Sequence, residues 1–113
     1  MREVNKEKIA LDLNQLSDEV YCNNEAKGFW DEPRSVAECI ALIHSELSEA
    51  LEADRKDLLD DHLVDRHGLE VELADAVIRI LDLSGYLGLD IGGALVDKLE
   101  YNKGRPHKHG KNY

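Results

Sequence analysis

Two pairs of acidic residues at helical spacing carry the strongest chemical signal in this sequence. Glu46 and Glu49 form the first pair, Glu72 and Asp75 form the second, and 22 residues separate the pairs. Residues three apart on an α-helix lie on one face, one turn apart, so each pair can direct two carboxylates towards the same point. Two such helices packed side by side would bring four hard oxygen ligands together. That donor set suits Mg²⁺, with Mn²⁺ as a substitute, rather than zinc or haem.

The surroundings of these pairs matter more than their spacing. The chain contains 24 Asp and Glu among 113 residues, so acidic pairs at this spacing also occur elsewhere in it. Residues 69–87 are apolar around well over half of a helical circumference, which predicts a helix buried on most sides. A narrow polar stripe remains, formed by Glu72, Asp75, Arg79 and Asp82. The stripe is either a ligand-binding face or the one solvated edge of the helix, and periodicity does not separate these alternatives.

The segment that contains the first pair has its own helix signals. Ser35 and Glu38 form a capping box, in which each side chain satisfies an unpaired backbone amide at the start of a helix. Glu46 lies beside apolar residues of the same predicted helix, and no cation occurs between Arg34 and Arg55. Acidic residues without a nearby cation, placed beside apolar positions, indicate a bound metal ion.

The remaining pattern predicts an all-α protein. Four segments show helical periodicity or helix start and stop signals: residues 5–24, 35–54, 69–85 and 90–103. Gly85 and Gly88 are candidate stop signals for the third helix. Residues 55–68 are charged and lack strong periodicity, which predicts a connector. No segment shows a strand signal, an internal repeat or low complexity.

Length and composition limit the class of protein. The chain predicts a single domain spanning residues 1–113, with a basic C-terminal tail at residues 104–113. No apolar run is long enough to predict a membrane span. Cys22 and Cys39, in a chain without a secretory signal, predict a reduced cytoplasmic protein. The net charge of -10 argues against a protein that binds nucleic acid through the phosphate backbone.

The fourth predicted helix carries a possible phosphate-binding face. Lys98, Asn102 and Arg105 recur at i, i+4 and i+7 if the helix continues through Gly104. Their ammonium, amide and guanidinium groups are typical of sites that bind phosphate oxygens. Pro106 then ends the helix, which predicts an extended basic strip at residues 107–111.

Taken together, these residues resemble the MazG-like family of all-α nucleotide pyrophosphohydrolases, whose hallmark is Glu-x-x-Glu, a spacer and Glu-x-x-Asp. The hallmark corresponds here to Glu46-Leu-Ser-Glu49 and Glu72-Leu-Ala-Asp75. Three further stretches are similar to the family: Lys27-Gly-Phe-Trp-Asp-Glu-Pro33, Lys98-x-x-x-Asn102-x-x-Arg105-Pro106 and His109-Gly-Lys111. The resemblance covers roughly residues 20–111 and depends on these segments occurring in order.

The resemblance implies a four-helix bundle-like MazG fold that is oligomeric through its apolar helices, as a homodimer or a dimer of dimers. It implies Mg²⁺-dependent cleavage of (deoxy)nucleoside triphosphates between the α and β phosphates, in nucleotide-pool housecleaning. The products are the nucleoside monophosphate and pyrophosphate. It assigns the metal to Glu46, Glu49, Glu72 and Asp75, and we assign the role of general base to Glu49. It assigns contacts with the triphosphate to Lys98, Asn102 and Arg105.

Single residues outside these motifs give weaker signals. Trp30, on the loop before the second helix, is either a stacking platform for the base or a plug in the core. His62 and His67 lack a partner at zinc-ligand spacing and are interpreted as solvated. Cys22 and Cys39 are interpreted as small core residues.

Two rival functions can be compared with this interpretation. A ferritin-like di-iron bundle requires Glu-x-x-His on two helices, and that motif does not occur in the chain. The other rival is a non-catalytic helical interaction protein, in which the apolar third helix forms an interface and the acidic residues serve only solubility. Indifference to Mg²⁺ would distinguish it from the enzyme.

Overall fold

The computed structural model describes residues 5–112 and shows an all-α chain, as predicted. Its elements are α1 (Lys6–Ala26), α2 (Val36–Lys56), α3 (Gly68–Leu87), α4 (Ile91–Lys103) and one 3₁₀ turn (His107–Gly110). Residues 1–4 and 113 of the predicted domain lie outside the described residues. Within residues 5–112 the only β pairing is an isolated bridge between Leu59 and His67.

Side chains cap the start of every α-helix. The four caps are Asn5, Ser35, His67 and Asp90. Ser35 Oγ accepts a hydrogen bond from the backbone N–H of Glu38 at 3.0 Å, which is one of the two hydrogen bonds of the predicted capping box. The interpretation of His67 as solvated is wrong. Its Nδ1 accepts from the backbone N–H of Leu69 at 3.1 Å, and its Nε2 lies 2.9 Å from Asp57 Oδ1.

Helix α3 is the central element of the fold. It packs against both α2 and α1, and α4 packs against α1. Helices α2 and α3 run antiparallel, because the start of α3 at Gly68 lies against Ala53 near the end of α2, while Arg79 contacts Glu46 further back along α2. An antiparallel pair places the acidic residues of both helices along one shared groove.

Of the two candidate stop signals for the third helix, Gly88 is confirmed and Gly85 is not. Gly85 lies inside α3, which continues to Leu87 and ends at Gly88 with a left-handed φ of 67°. A Cβ atom on Gly85 would lie 2.7 Å from Tyr21 Cβ and 2.9 Å from the backbone oxygen of Ser17. The missing side chain therefore allows α1 and α3 to approach closely. A hydrogen bond also joins α1 and α3 at this point, since Ser17 Oγ donates to the backbone oxygen of Leu81 at 2.6 Å.

Helix α4 ends earlier than the phosphate-binding pattern requires. Its last residue is Lys103 and Gly104 is its C-cap, so Arg105 follows the helix instead of extending it. Pro106 explains this end, because proline disfavours helical backbone in the residue before it. The prediction of an extended strip at residues 107–111 is also wrong, since His107–Gly110 forms the 3₁₀ turn.

Much of the apolar surface remains uncovered. No large side chain among the described residues is fully buried. Exposed apolar residues occur on all four helices, and on α2, α3 and α4 they include Ile40, Leu47, Leu51, Leu73, Val77, Ile80, Leu95 and Leu99. Cys39 is buried as predicted, whereas Cys22 is exposed. None of the helices in the described part of the chain has the length and apolar character that crossing a bilayer requires.

We expect Gly85→Ala to destabilise the protein. Alanine improves intrinsic helix propensity by about 1 kcal/mol, but the added methyl overlaps the α1 backbone, and overpacking of this kind costs about 1–3 kcal/mol. The expected net effect is a lower urea midpoint and a lower Tm. Gly104→Ala is the control, because its Cβ would meet only the Tyr101 backbone oxygen, at an ordinary 3.6 Å, and its φ is -86°. Equal stability of the two variants would contradict the close α1–α3 contact.

Candidate metal centre

Three carboxylates converge in the groove between α2 and α3. Glu46, Glu72 and Asp75 each present one oxygen, and these oxygens lie within 4.8 Å of one another. Glu46 is only 8% exposed, and the other two residues are partly buried. Glu72 and Asp75 lie one turn apart on α3 and both face Glu46 on the neighbouring helix. The structure therefore brings together three of the four residues predicted to hold a metal.

Glu49, the fourth predicted ligand, lies beside this group but is exposed. It is close enough to Glu72 for its carboxylate to contribute to the raised pKa of Glu72. Together with the three clustered residues it lines a cavity of about 370 Å³ that extends to the connector between α2 and α3. Glu49 is thus placed at the edge of the site, where its carboxylate is open to water.

The cluster is electrostatically unfavourable when all of its carboxylates are ionised and no cation is bound. Glu72 Oε2 is buried and receives no hydrogen bond from any residue among positions 5–112. Burial raises the pKa of Glu72 from 4.5 to about 8, and the neighbouring carboxylates of Glu46 and Glu49 contribute to the increase. Burial also raises the pKa of Asp75, with further contributions from the charges of Glu46 and Asp60. An orphaned buried oxygen and converging carboxylates fit a hard divalent cation.

Arg79 compensates part of this charge. Its Nε donates to Glu46 Oε1 at 2.9 Å, so the prediction that Glu46 lacks a nearby cation is wrong. The cation lies on α3 and not on α2, so the residues of α2 alone do not predict it. Of the polar stripe of α3, Asp82 is buried and Glu72, Asp75 and Arg79 are half-buried, so the stripe faces a groove instead of forming a fully exposed edge. One guanidinium beside four carboxylates still leaves a negative site.

Asp60 lies at the edge of the site, a placement that the sequence does not predict. Only 9% of it is exposed, and its Oδ2 accepts from the backbone N–H groups of His62 at 2.9 Å and Leu63 at 2.7 Å. The bond from Leu63, together with that from His62, holds the pKa of Asp60 below its ordinary value. Asp60 lines the same cavity as the acidic cluster. Residues 55–68 lack periodicity, so the sequence gives no signal for this long-range placement.

Trp30 lies in an aromatic cluster beside the groove. Its ring stacks on Tyr86 with a centroid distance of 4.0 Å and an interplanar angle of 7°, and the Tyr21 ring lies 6.0 Å away. The indole Nε1 donates to Asp82 Oδ1 at 2.9 Å. The partners of Trp30 agree with a packing role, and its predicted contact with a base stays a prediction.

The predicted phosphate contacts lie apart from the acidic cluster. Lys98 Nζ and the Arg105 guanidinium lie 4.6 Å and 5.6 Å from the ring centroid of Tyr101, so these two cations share one aromatic partner. Asn102 Oδ1 is buried without a hydrogen-bond partner among the described residues. Three cavities border the acidic cluster, and none of them is lined by a described residue of α4. Within one chain, the structure does not bring these three residues to the carboxylates.

Comparison of the chain with protein-family models, curated proteins and solved structures finds no match in any of the three. The resemblance to the MazG-like family therefore depends on the motifs themselves, and a function has to be argued from the residues of the site.

We expect the metal-free protein to lose stability, relative to Glu72→Gln, as the pH rises from about 4.5 to about 8. The pKa of Glu72 is raised in the folded state, so the folded chain binds more protons than the unfolded chain across this range. The stabilising contribution is complete below the ordinary pKa and is lost as the pH rises through the raised one. Urea unfolding in a chelator, at several pH values, measures the difference. Parallel pH profiles for the two proteins would contradict the raised pKa.

Proposed function

We propose that this protein is a Mg²⁺-dependent pyrophosphohydrolase that cleaves (deoxy)nucleoside triphosphates between the α and β phosphates. The observation that carries the proposal is the convergence of Glu46, Glu72 and Asp75, with Glu72 Oε2 buried and unsatisfied among the described residues. The motif resemblance described above supports the same reaction. The products are a nucleoside monophosphate and pyrophosphate, which fits a housecleaning role in the nucleotide pool.

Charge explains why the site requires a metal. A triphosphate carries about four negative charges, and bare carboxylates in a cleft of low effective dielectric would repel it. Glu46, Glu72 and Asp75 would hold Mg²⁺, which supplies a positive charge to the phosphates and acidifies a bound water. Arg79 fixes the position of Glu46 through its 2.9 Å hydrogen bond.

Glu49 is the proposed general base. It is exposed at the edge of the cluster and lines the connector-side cavity of about 370 Å³, which has room for water. A carboxylate in that position can accept a proton from water as the water attacks the α phosphorus. In this assignment Glu49 differs from the other three acidic residues, since its main role is proton transfer and not metal binding.

The proposal includes a second copy of the chain. Exposed apolar residues on α2, α3 and α4 are best covered by self-association, as a homodimer or a dimer of dimers. Within one chain α4 packs against α1 and lies apart from the carboxylates. In the proposed oligomer, the triphosphate is therefore contacted by Lys98, Asn102 and Arg105 of a neighbouring copy. A cytoplasmic location belongs to the same proposal, since nucleoside triphosphates are made and used there.

A non-catalytic helical interaction protein is the second candidate. The exposed apolar residues of α2 and α3 favour it, because such surfaces mark protein–protein contacts. This candidate gives no role to the buried, unpaired oxygen of Glu72, which is why the enzyme is preferred.

We expect the purified protein, with Mg²⁺ and a panel of nucleoside triphosphates, to release pyrophosphate. Glu49→Gln and Asp75→Asn should each abolish turnover without loss of helicity, because each removes charge and keeps volume. Asp54→Asn, at an exposed α2 position, is the matched control and should retain activity. Separate assays for pyrophosphate and orthophosphate identify the bond that is cleaved. Orthophosphate as the sole product would place cleavage at the γ phosphate and refute the proposal.

We expect Mg²⁺ with a non-hydrolysable nucleoside triphosphate to raise the Tm. A ligand that binds only the folded state stabilises it by mass action, by about 2.7 kcal/mol at a concentration 100 times the Kd. Glu72→Gln should reduce the increase, because it weakens metal binding. A wild-type Tm that does not respond to Mg²⁺ and nucleotide would instead favour the interaction protein.

A further inference from the structure

A second cavity borders the acidic cluster at the loop between α1 and α2. Its volume is about 300 Å³, and Glu46 and Asp75 form the wall that it shares with the cluster. The remaining lining residues are Asn24, Phe29, Arg34, Ile78, Arg79 and Asp82. The cavity combines an apolar side with a few converging polar groups, which is typical of small-molecule sites.

Phe29 provides the apolar side of this cavity. Its side chain is 51% exposed, although the adjacent Trp30 is held by Tyr86 and Asp82. Phe29 does not take part in the described ring contacts, which join Tyr21, Trp30 and Tyr86. Ile78 lines the same cavity and is 44% exposed. An open aromatic ring beside an aliphatic side chain suits a flat base that stacks.

Asp82 orients the polar side of the cavity. Its two oxygens accept from Trp30 Nε1 at 2.9 Å and from Asn24 Nδ2 at 3.0 Å. Because the carboxylate only accepts, the Asn24 amide must turn its nitrogen towards Asp82. The carbonyl oxygen of Asn24 then remains as the acceptor that this side chain offers a ligand. An N–H group on the edge of a base is the matching donor.

Charged residues of α3 are spaced along the wall of the cavity. Along α3, Asp75 belongs to the metal cluster, Arg79 lies one turn further and Asp82 about one more turn, next to Asn24. A ligand that extends along the groove would place its phosphates at the cluster and its uncharged end beside Phe29. Arg34, which is half-buried, adds a second guanidinium to the cavity wall.

We propose that this cavity binds the nucleoside end of the triphosphate, with the base stacked on Phe29 and an amino group of the base donating to Asn24 Oδ1. The proposal rests on the proposed function for the identity of the ligand, but binding does not require hydrolysis. Bases with an exocyclic amino group, such as cytosine, are preferred over uracil. At the same edge uracil presents a carbonyl, which would face the Asn24 oxygen and leave both acceptors unpaired.

Calorimetric titration in Mg²⁺ tests this assignment with three probes: cytidine and uridine 5′-(α,β-imido)triphosphates and inorganic tripolyphosphate. We expect the cytidine analogue to bind most tightly, and Phe29→Ala to weaken its binding roughly tenfold while leaving tripolyphosphate unchanged. Asn24→Ala should remove the preference for cytidine over uridine. Emission from Trp30, the single tryptophan, should change with the cytidine analogue, because its Asp82 partner lines the cavity.

Leu11→Ala removes an exposed apolar side chain from α1, outside the residues that line the cavity, and should leave the binding of all three probes unchanged. The assignment is overturned if Phe29→Ala weakens nucleotide and tripolyphosphate equally, or neither. A changed sedimentation coefficient of Phe29→Ala would also overturn it, by placing Phe29 in a subunit interface. Phe29-dependent nucleotide binding without pyrophosphate release would support the cavity and refute the hydrolysis. Pyrophosphate release with an unaltered KM in Phe29→Ala would do the reverse.

Discussion

Carboxylates placed side by side in a partly buried groove are costly unless a proton or a cation compensates their charge. This constraint governs the region between α2 and α3. Glu46 obtains a guanidinium from Arg79, and Glu72 favours its protonated form. These two compensations leave the oxygens of Glu46, Glu72 and Asp75 within 4.8 Å of one another, so a cation bound between them would stabilise the folded state.

Residues beside the acidic cluster also lie along the groove between α2 and α3. Arg79 and Asp82 follow Glu72 and Asp75 along α3. This one helix therefore carries two of the three clustered carboxylates, the cation beside Glu46 and the residue that orients Asn24 and Trp30. The connector between α2 and α3 closes the other end through Asp60, which is held by backbone amides. The fold therefore surrounds the carboxylates with elements that are distant in sequence.

Local signals in the sequence predict the helices. They do not predict the contacts between the helices. The start of α2 follows from Ser35 and Glu38, because a capping box is a local interaction. The pairing of Glu46 with Arg79 and the burial of Asp60 depend on how α2, α3 and the connector meet, which periodicity does not contain. Gly85 shows the same limit, since a helix stop and a close crossing require the same residue type.

Helix α3 fixes the distance between the two ends of the groove. Asp75 and Asp82 are seven residues apart on the continuous helix α3, which corresponds to about 10 Å of axial rise. This span cannot stretch, and adding or removing one residue would turn one end about 100° away from the other. In the proposed complex, the helix therefore fixes the distance between the phosphate end and the base end of the ligand, whichever side chains occupy the two ends.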